Sequence, residues 1–203
     1  MKFEEAVEKV KNSPEYKDFI KQYPNAYLAV GFFILDFSSE FSTDVHQIHF
    51  YIPNENRVGV FNLEKDLTVK IEDALGVMNQ LNSVKIKVQI RDLKKIVSKE
   101  IKKKKIKKTL NKIIAVLQND QGKEIWNLTC MLDTLGIVKM KIDALNGKVI
   151  ESQFTDLLSM FKKITKNSKE IQKMQEEIEE SKNSKSKDEE ISEKIKGAEE
   201  YVG

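Results

Sequence analysis

Apolar residues in the first turns of the chain recur three and four apart, at Phe3, Ala6, Val7 and Val10. That spacing is the stripe of an amphipathic helix. Ser13-Pro14 interrupts it with a capping residue and a residue suited to a first helical position, so a second helix is expected to start there. Phe19 and Ile20 carry its apolar side, and Pro24 ends it. From 26 to 37 both alternating sets are apolar: Tyr27, Ala29, Phe33, Leu35 and Leu28, Val30, Phe32, Ile34. A strand covered on both faces has this pattern. Residues 45–52 alternate, with Ile48, Phe50 and Ile52 on one side. PNENR then reads as a turn and 58–63 as the returning strand.

Residues 65–83 carry weaker signals, and IEDALGVMNQL is expected to form a short helix. The run 84–90, VKIKVQI, alternates strictly and predicts a strand with one wet face. Leu93, Ile96, Val97 and Ile101 predict a helix over 92–104. Ile106 lies five residues beyond Ile101, about 140° around a helix, so the helix is not extended through it. Strands are expected at 113–119, 124–134, 137–143 and 148–154. A helix from about 155 to 165 follows, on Leu157, Leu158, Phe161 and Ile164. The stretch 142–150, IDALNGKVI, predicts a hairpin. Asn146-Gly147 would supply the positive φ of a tight primed turn, and Asp143 can bond nearby backbone. From 166 onward Lys, Glu and Ser dominate. Ile171, Met174 and Ile178 give about two turns of a coiled-coil seam, SKNSKSKDEE is expected to be flexible, and the tail should be dispensable for folding.

The chain has 203 residues, 40% of them apolar, enough for one domain or two small ones. Its 35 basic and 32 acidic residues nearly cancel, and a net charge of +3 does not by itself imply nucleic acid. A single cysteine precludes an internal disulfide and fits a reducing compartment. MKFEEAVEKV has no apolar run of signal-peptide length, and no stretch reaches ~18 uncharged apolar residues. A cytoplasmic location is therefore expected.

Candidate chemistry is sparse. His46 and His49 stand three apart on a predicted strand, so they point to opposite faces and cannot share a metal. Cys130 alternates with Trp126, Leu128 and Leu132, which places the thiol on an apolar face as a small hydrophobe. Trp126 on that face reads as core. Dinucleotide, phosphate-loop, HExxH, CxxC and GxSxG motifs are absent. No catalytic, cofactor-binding or metal-binding residues are expected. The strongest electrostatic feature is Lys99–Lys112, with eight lysines and one glutamate. Lys102, Lys103, Lys104, Lys105, Lys107 and Lys108 form its centre and are the candidate site for phosphates or an acidic partner. No arginine or aromatic residue interleaves them to read bases, and a solvated helix end explains the same run.

Two halves of the chain echo each other. Ile48-x-Phe50-x-Ile52 is followed by Asn56, Val58 and Val60, and Val138-x-Met140-x-Ile142 by Asn146 and Val149. The run Trp126–Ile150, WNLTCMLDTLGIVKMKIDALNGKVI, resembles the PepSY domain, with Ile142, Asp143, Ala144, Gly147, Lys148 and Val149 where that family's aspartate-alanine, glycine-turn and returning-strand pattern has them. The resemblance covers roughly 85–155. With the echo between the halves, the expected fold is α+β, with two helix-plus-antiparallel-sheet (PepSY/cystatin-like) modules, 1–83 and 84–165, followed by a charged helical or partly disordered tail, 166–203. The resemblance implies a non-enzymatic α+β module that binds or inhibits other proteins, often associated with peptidases. The family usually occurs outside the cytoplasm, which departs from the expectation here. The expected function is protein interaction or regulation without cofactor. Self-association through the tail would be compatible with it. The alternative is a nucleic-acid-associated protein acting through 99–112.

Overall fold

The computed structural model describes residues 2–38, 44–64 and 66–160. The apolar stripes of the first 22 residues form two helices, α1 (Phe3–Lys11) and α2 (Pro14–Gln22), split where the sequence predicts. Ser13 caps α2 by accepting the Tyr16 N–H at 3.1 Å, and Pro14 occupies the first turn. Four strands follow: β1 (Tyr27–Asp36), β2 (Val45–Ile52), β3 (Arg57–Asn62) and β4 (Thr68–Asp73). Then come α3 (Ile90–Lys103) and four more strands, β5 (Leu110–Asp120), β6 (Lys123–Leu132), β7 (Gly136–Asp143) and β8 (Val149–Asp156). All eight strands join one antiparallel sheet in the order β4-β3-β2-β1-β5-β6-β7-β8. Successive strands pair as hairpins within β1–β4 and within β5–β8. The sheet is continuous because β1 also pairs with β5, from Val30 opposite Gln118 to Asp36 opposite Lys112. Residues 1–156 form one compact unit.

The three helices pack on one face of this sheet. Phe3, Ala6, Val7 and Val10 of α1, Phe19 of α2, and Leu93, Val97 and Ile101 of α3 share a core with Phe33, Ile48, Phe50, Phe61, Ile113, Leu117, Trp126, Leu128 and Val138. Two strand glycines seat the helices. A Cβ at Gly31 would lie 2.6 Å from the Phe3 ring, and one at Gly59 would lie 2.5 Å from the Phe19 ring. A buried glutamine ties α1 to α3. Gln89 Oε1 accepts the Phe3 N–H at 2.9 Å, and Gln89 Nε2 donates to Glu4 Oε2 at 3.2 Å. No helix among the described residues is long and apolar enough to cross a membrane.

Four expectations are corrected. The helix expected within 65–83 is strand β4 followed by an irregular segment, because Val69 and Ile71 alternate as a short edge against β3. Leu75 and Val77, within that run, are exposed. The strand expected at 84–90 is a 3-10 turn at Ser83–Lys85 and an extended connection with no strand partner. Its alternation is real, since Ile86, Val88 and Ile90 are buried. However, its N–H groups at Lys87 and Val88 both reach the Ala144 carbonyl at 2.9 Å rather than a ladder. Period two reports extended backbone, not pairing. The helix expected from 155 is strand β8 through Asp156, with helix at 157–160; the rest of that helix and the tail 166–203 lie outside the described residues.

The fourth correction concerns the hairpin turn. Only Gly147 has positive φ, at 75°, and Asn146 does not. The connection is a longer loop in which the Gly147 N–H donates to the Asp143 carbonyl at 2.9 Å. Asp143 Oδ1 accepts from the N–H groups of Leu145 and Asn146 at 2.8 and 3.2 Å, the bonding expected of that residue. The tight two-residue turn is instead at Gln121-Gly122, with φ of 51° and 85° between the paired Asp120 and Lys123.

Candidate interaction face

Antiparallel register fixes which side chains share the face opposite the helices. One row across the sheet reads Asn62, Gln47, Phe32, Val116, Asn127, Lys141, Glu151. The next reads Val45, Ile34, Ile114, Thr129, Lys139, Gln153. The two rows place Phe32, Ile34, Ile114 and Val116 together, all half-buried. This is the double-sided apolarity of β1 that the sequence showed, now shared with β5. One end of the face is covered. The segment after β4 crosses it, packing Ala74 and Met78 on Val30 and Tyr51. Tyr27 Oη donates to the Met78 carbonyl at 2.7 Å and holds that segment down.

The remainder has no covering element among the described residues. A depression of about 280 Å3 lies there, bordered by Ile114, Val116, Asn127, Thr129, Lys139, Lys141, Glu151 and Gln153. Charge on this side is mixed, with Lys112, Lys139 and Lys141 set among Asp36, Asp120 and Glu151. Lys141 lies 3.9 Å from Asp120, and Lys112 is held by Asp36 at 3.0 Å. Lys139 is exposed, with no ion pair among the described residues. His49 belongs to the same face and stacks on Phe32, with ring centroids 6.3 Å apart. Burial pulls its pKa down from 6.5 to about 4. His46 projects to the helix side against the Phe33 ring, and burial lowers its pKa too. The two imidazoles therefore lie on opposite faces.

The six candidate lysines occupy the end of α3 and the connection to β5. Lys102 and Lys103 are exposed in the last helical turn. Lys104 reaches back to Glu100 at 3.9 Å and donates to the Ser152 carbonyl at 3.0 Å. Lys105 is exposed with φ of 56°, and Lys107 is exposed beyond it. Lys108 is half-buried, donates to the Thr134 carbonyl at 2.9 Å and pairs with Asp156 at 3.2 Å. So Lys104 and Lys108 tie the helix end to β8 and to the β6–β7 turn, while Lys102, Lys103, Lys105 and Lys107 face solvent.

Trp126 is fully buried, and its Nε1 donates to the Val88 carbonyl at 3.0 Å. Cys130 is buried on the same side, and burial pushes its thiol up to about 12, so it stays protonated at neutral pH. The described residues contain no group of three or more His, Cys, Asp or Glu arranged to hold a metal ion. Sequence reasoning missed the uncovered face because strand order is set by the distant pairing of β1 with β5, from Val30 opposite Gln118 to Asp36 opposite Lys112. The apolarity of Phe32 and Ile34 was visible, but not what failed to cover them.

No family model matches the chain, and no curated protein does. A solved structure of a "putative lipoprotein" from Clostridium difficile 630 is similar at a TM-score of 0.47. Its identity is 15%, over 68% of this chain and 89% of that chain.

Proposed function

We propose that the chain is a non-catalytic protein-interaction or regulatory module of PepSY-like type, made of two helix-plus-meander modules and working in the cytoplasm. The order of elements supports the two-module reading: two helices then four antiparallel strands, followed by one helix and four more, with the sheet order running outward from β1 and β5 in both directions. The single observation that carries the interaction reading is the uncovered apolar strip Phe32, Ile34, Ile114 and Val116. A water-facing apolar sheet surface of this kind marks a binding site. The occupant that fits is an amphipathic acidic segment of a partner protein. Its apolar side would lie on the strip, and its carboxylates would meet Lys139, Lys141 and Lys112 at the border.

A co-purification from native lysate tests this, run with and without nuclease. Three baits are compared: the wild-type chain, an Ile114→Glu/Lys139→Glu variant of the face, and a Lys102→Glu/Lys105→Glu variant of the basic segment. Circular dichroism melting first establishes that each variant folds. The expected result is a protein partner that survives nuclease, is lost from the face variant and persists on the basic-segment variant. It then binds the purified wild-type chain directly. Loss of all partners on nuclease treatment, or on altering Lys102 and Lys105, would overturn the proposal in favour of nucleic acid. Undiminished binding to the face variant would overturn the assignment to this face.

A further inference from the structure

A second concavity lies apart from the open face, where the end of α1 and the start of α2 meet the connection leading to α3. Its volume is about 600 Å3, within the range of small-molecule sites. Its floor is apolar: Leu28, Phe50 and Leu81 line it and are each less than a tenth exposed. Its mouth is polar and carries Lys11, Tyr16 and Asn82. No aspartate or glutamate is among the described residues that line it.

Three of the polar groups at the mouth can donate. The Tyr16 ring is fixed by Phe50, Phe61 and Phe19, with centroids 4.8, 5.8 and 6.2 Å away. Its hydroxyl has no partner among the described residues, and burial raises its pKa, so it remains a phenol able to donate. Asn82 Oδ1 accepts the Val84 N–H at 3.2 Å, and its Nδ2 has no partner among the described residues. Lys11 is exposed and forms no ion pair with a described residue. A cation, a phenol and an amide thus line one apolar-floored cleft that has no carboxylate in its lining; the buried Glu124 lies behind it, its Oε1 accepting the Asn82 N–H at 3.3 Å.

We infer that this cleft binds a small amphiphilic carboxylate. The apolar body lies over Leu28, Phe50 and Leu81, and the carboxylate meets Lys11 Nζ and Tyr16 Oη. Charge-assisted bonds of this kind orient such a ligand and discriminate against a neutral analogue. The inference does not rest on the open face, and either can fail without the other.

The test is a two-dimensional amide NMR titration of the full chain with octanoate, octanamide and acetate. Octanoate should give saturable shifts at Leu28, Leu81, Asn82 and Ser83 with a dissociation constant below about 10 mM, as its size allows. Octanamide should bind about tenfold more weakly, and acetate should give no saturation. Lys11→Met should weaken octanoate about tenfold while leaving octanamide unchanged, and Tyr16→Phe, which keeps the ring, should weaken octanoate severalfold. Equal binding of octanoate and octanamide would overturn the inference. So would octanoate shifts confined to Phe32 and Ile114, or no saturable shift in the cleft.

Discussion

His49 shows how a single side chain records which face of a sheet it occupies. Its cross-strand neighbours are Val30 and Val60, Phe32 stacks on it, and its Nε2 lies 3.1 Å from Gln47 Oε1. None of these compensates a positive charge, so burial holds the folded pKa near 4 against an ordinary 6.5. Between those values the unfolded chain binds a proton that the folded chain does not. Stability is therefore full above about pH 6.5 and falls as the pH drops toward 4, by at most about 3 kcal/mol from this residue. Urea melts at pH 7 and pH 4.5 should show that loss, and His49→Gln should lose measurably less. Equal losses in both proteins would mean that His49 is hydrated in the native state. Other single residues were readable from alternation alone. Cys130 and Trp126 fall on the helix-facing side as their spacing with Leu128 and Leu132 implies. The bond from Trp126 to the Val88 carbonyl was not readable, because its partner stands 38 residues away on a connection that resembles a strand.

At the scale of an element, the break in apolar phase after Ile101 has a definite cause. The Ile106 N–H donates to the Ile101 carbonyl at 3.1 Å and the Lys105 N–H to the Lys102 carbonyl at 3.0 Å. With Lys105 in the left-handed region, this is a Schellman ending, and Ile106 packs on the core through it. The five-residue step from Ile101 to Ile106 thus reflects the closing turn of the helix rather than a separate element. Part of the basic run is the end of a helix, where lysines complement the carbonyl dipoles. Glycine ordinarily occupies the position of Lys105, since a Cβ there is strained by roughly 1 kcal/mol. Lys105→Gly should therefore raise stability by about 0.5–1 kcal/mol, seen as a higher urea midpoint with unchanged slope. A lowered midpoint would mean that the left-handed turn is not the native one. The hairpin at Asn146-Gly147 shows the opposite limit. The dipeptide signalled a turn correctly, but Asp143 accepts two N–H groups and lengthens the loop, so the tight geometry falls at Gln121-Gly122 instead.

At the scale of the molecule, both meanders were partly legible, because every strand except β4 was expected from apolar patterning and flanking turns. Their junction was not. The pairing of β1 with β5 depends on residues as distant as Val30 and Gln118, and periodicity carries no information about partners at that separation. The junction bears on whether the two halves are independent. β1 and β5 each supply an inner strand of the sheet, and Phe33, Leu35, Ile113, Ala115 and Leu117 belong to one core. The Gln89 bonds to Phe3 and Glu4 also cross between the halves. A fragment of residues 1–83 would expose the hydrogen-bonding edge of β1 together with the flank of its core, and 84–165 would do the same at β5. Exposed edges of this length with apolar neighbours associate rather than remain monomeric. Neither fragment alone should therefore melt cooperatively as a monomer. An equimolar mixture should recover a single transition, because the β1–β5 ladder can reform between chains. Circular dichroism melting with sedimentation analysis of each fragment and of the mixture checks this. A cooperative monomeric transition in either isolated half would show that the module is self-sufficient and that the shared core is a later elaboration.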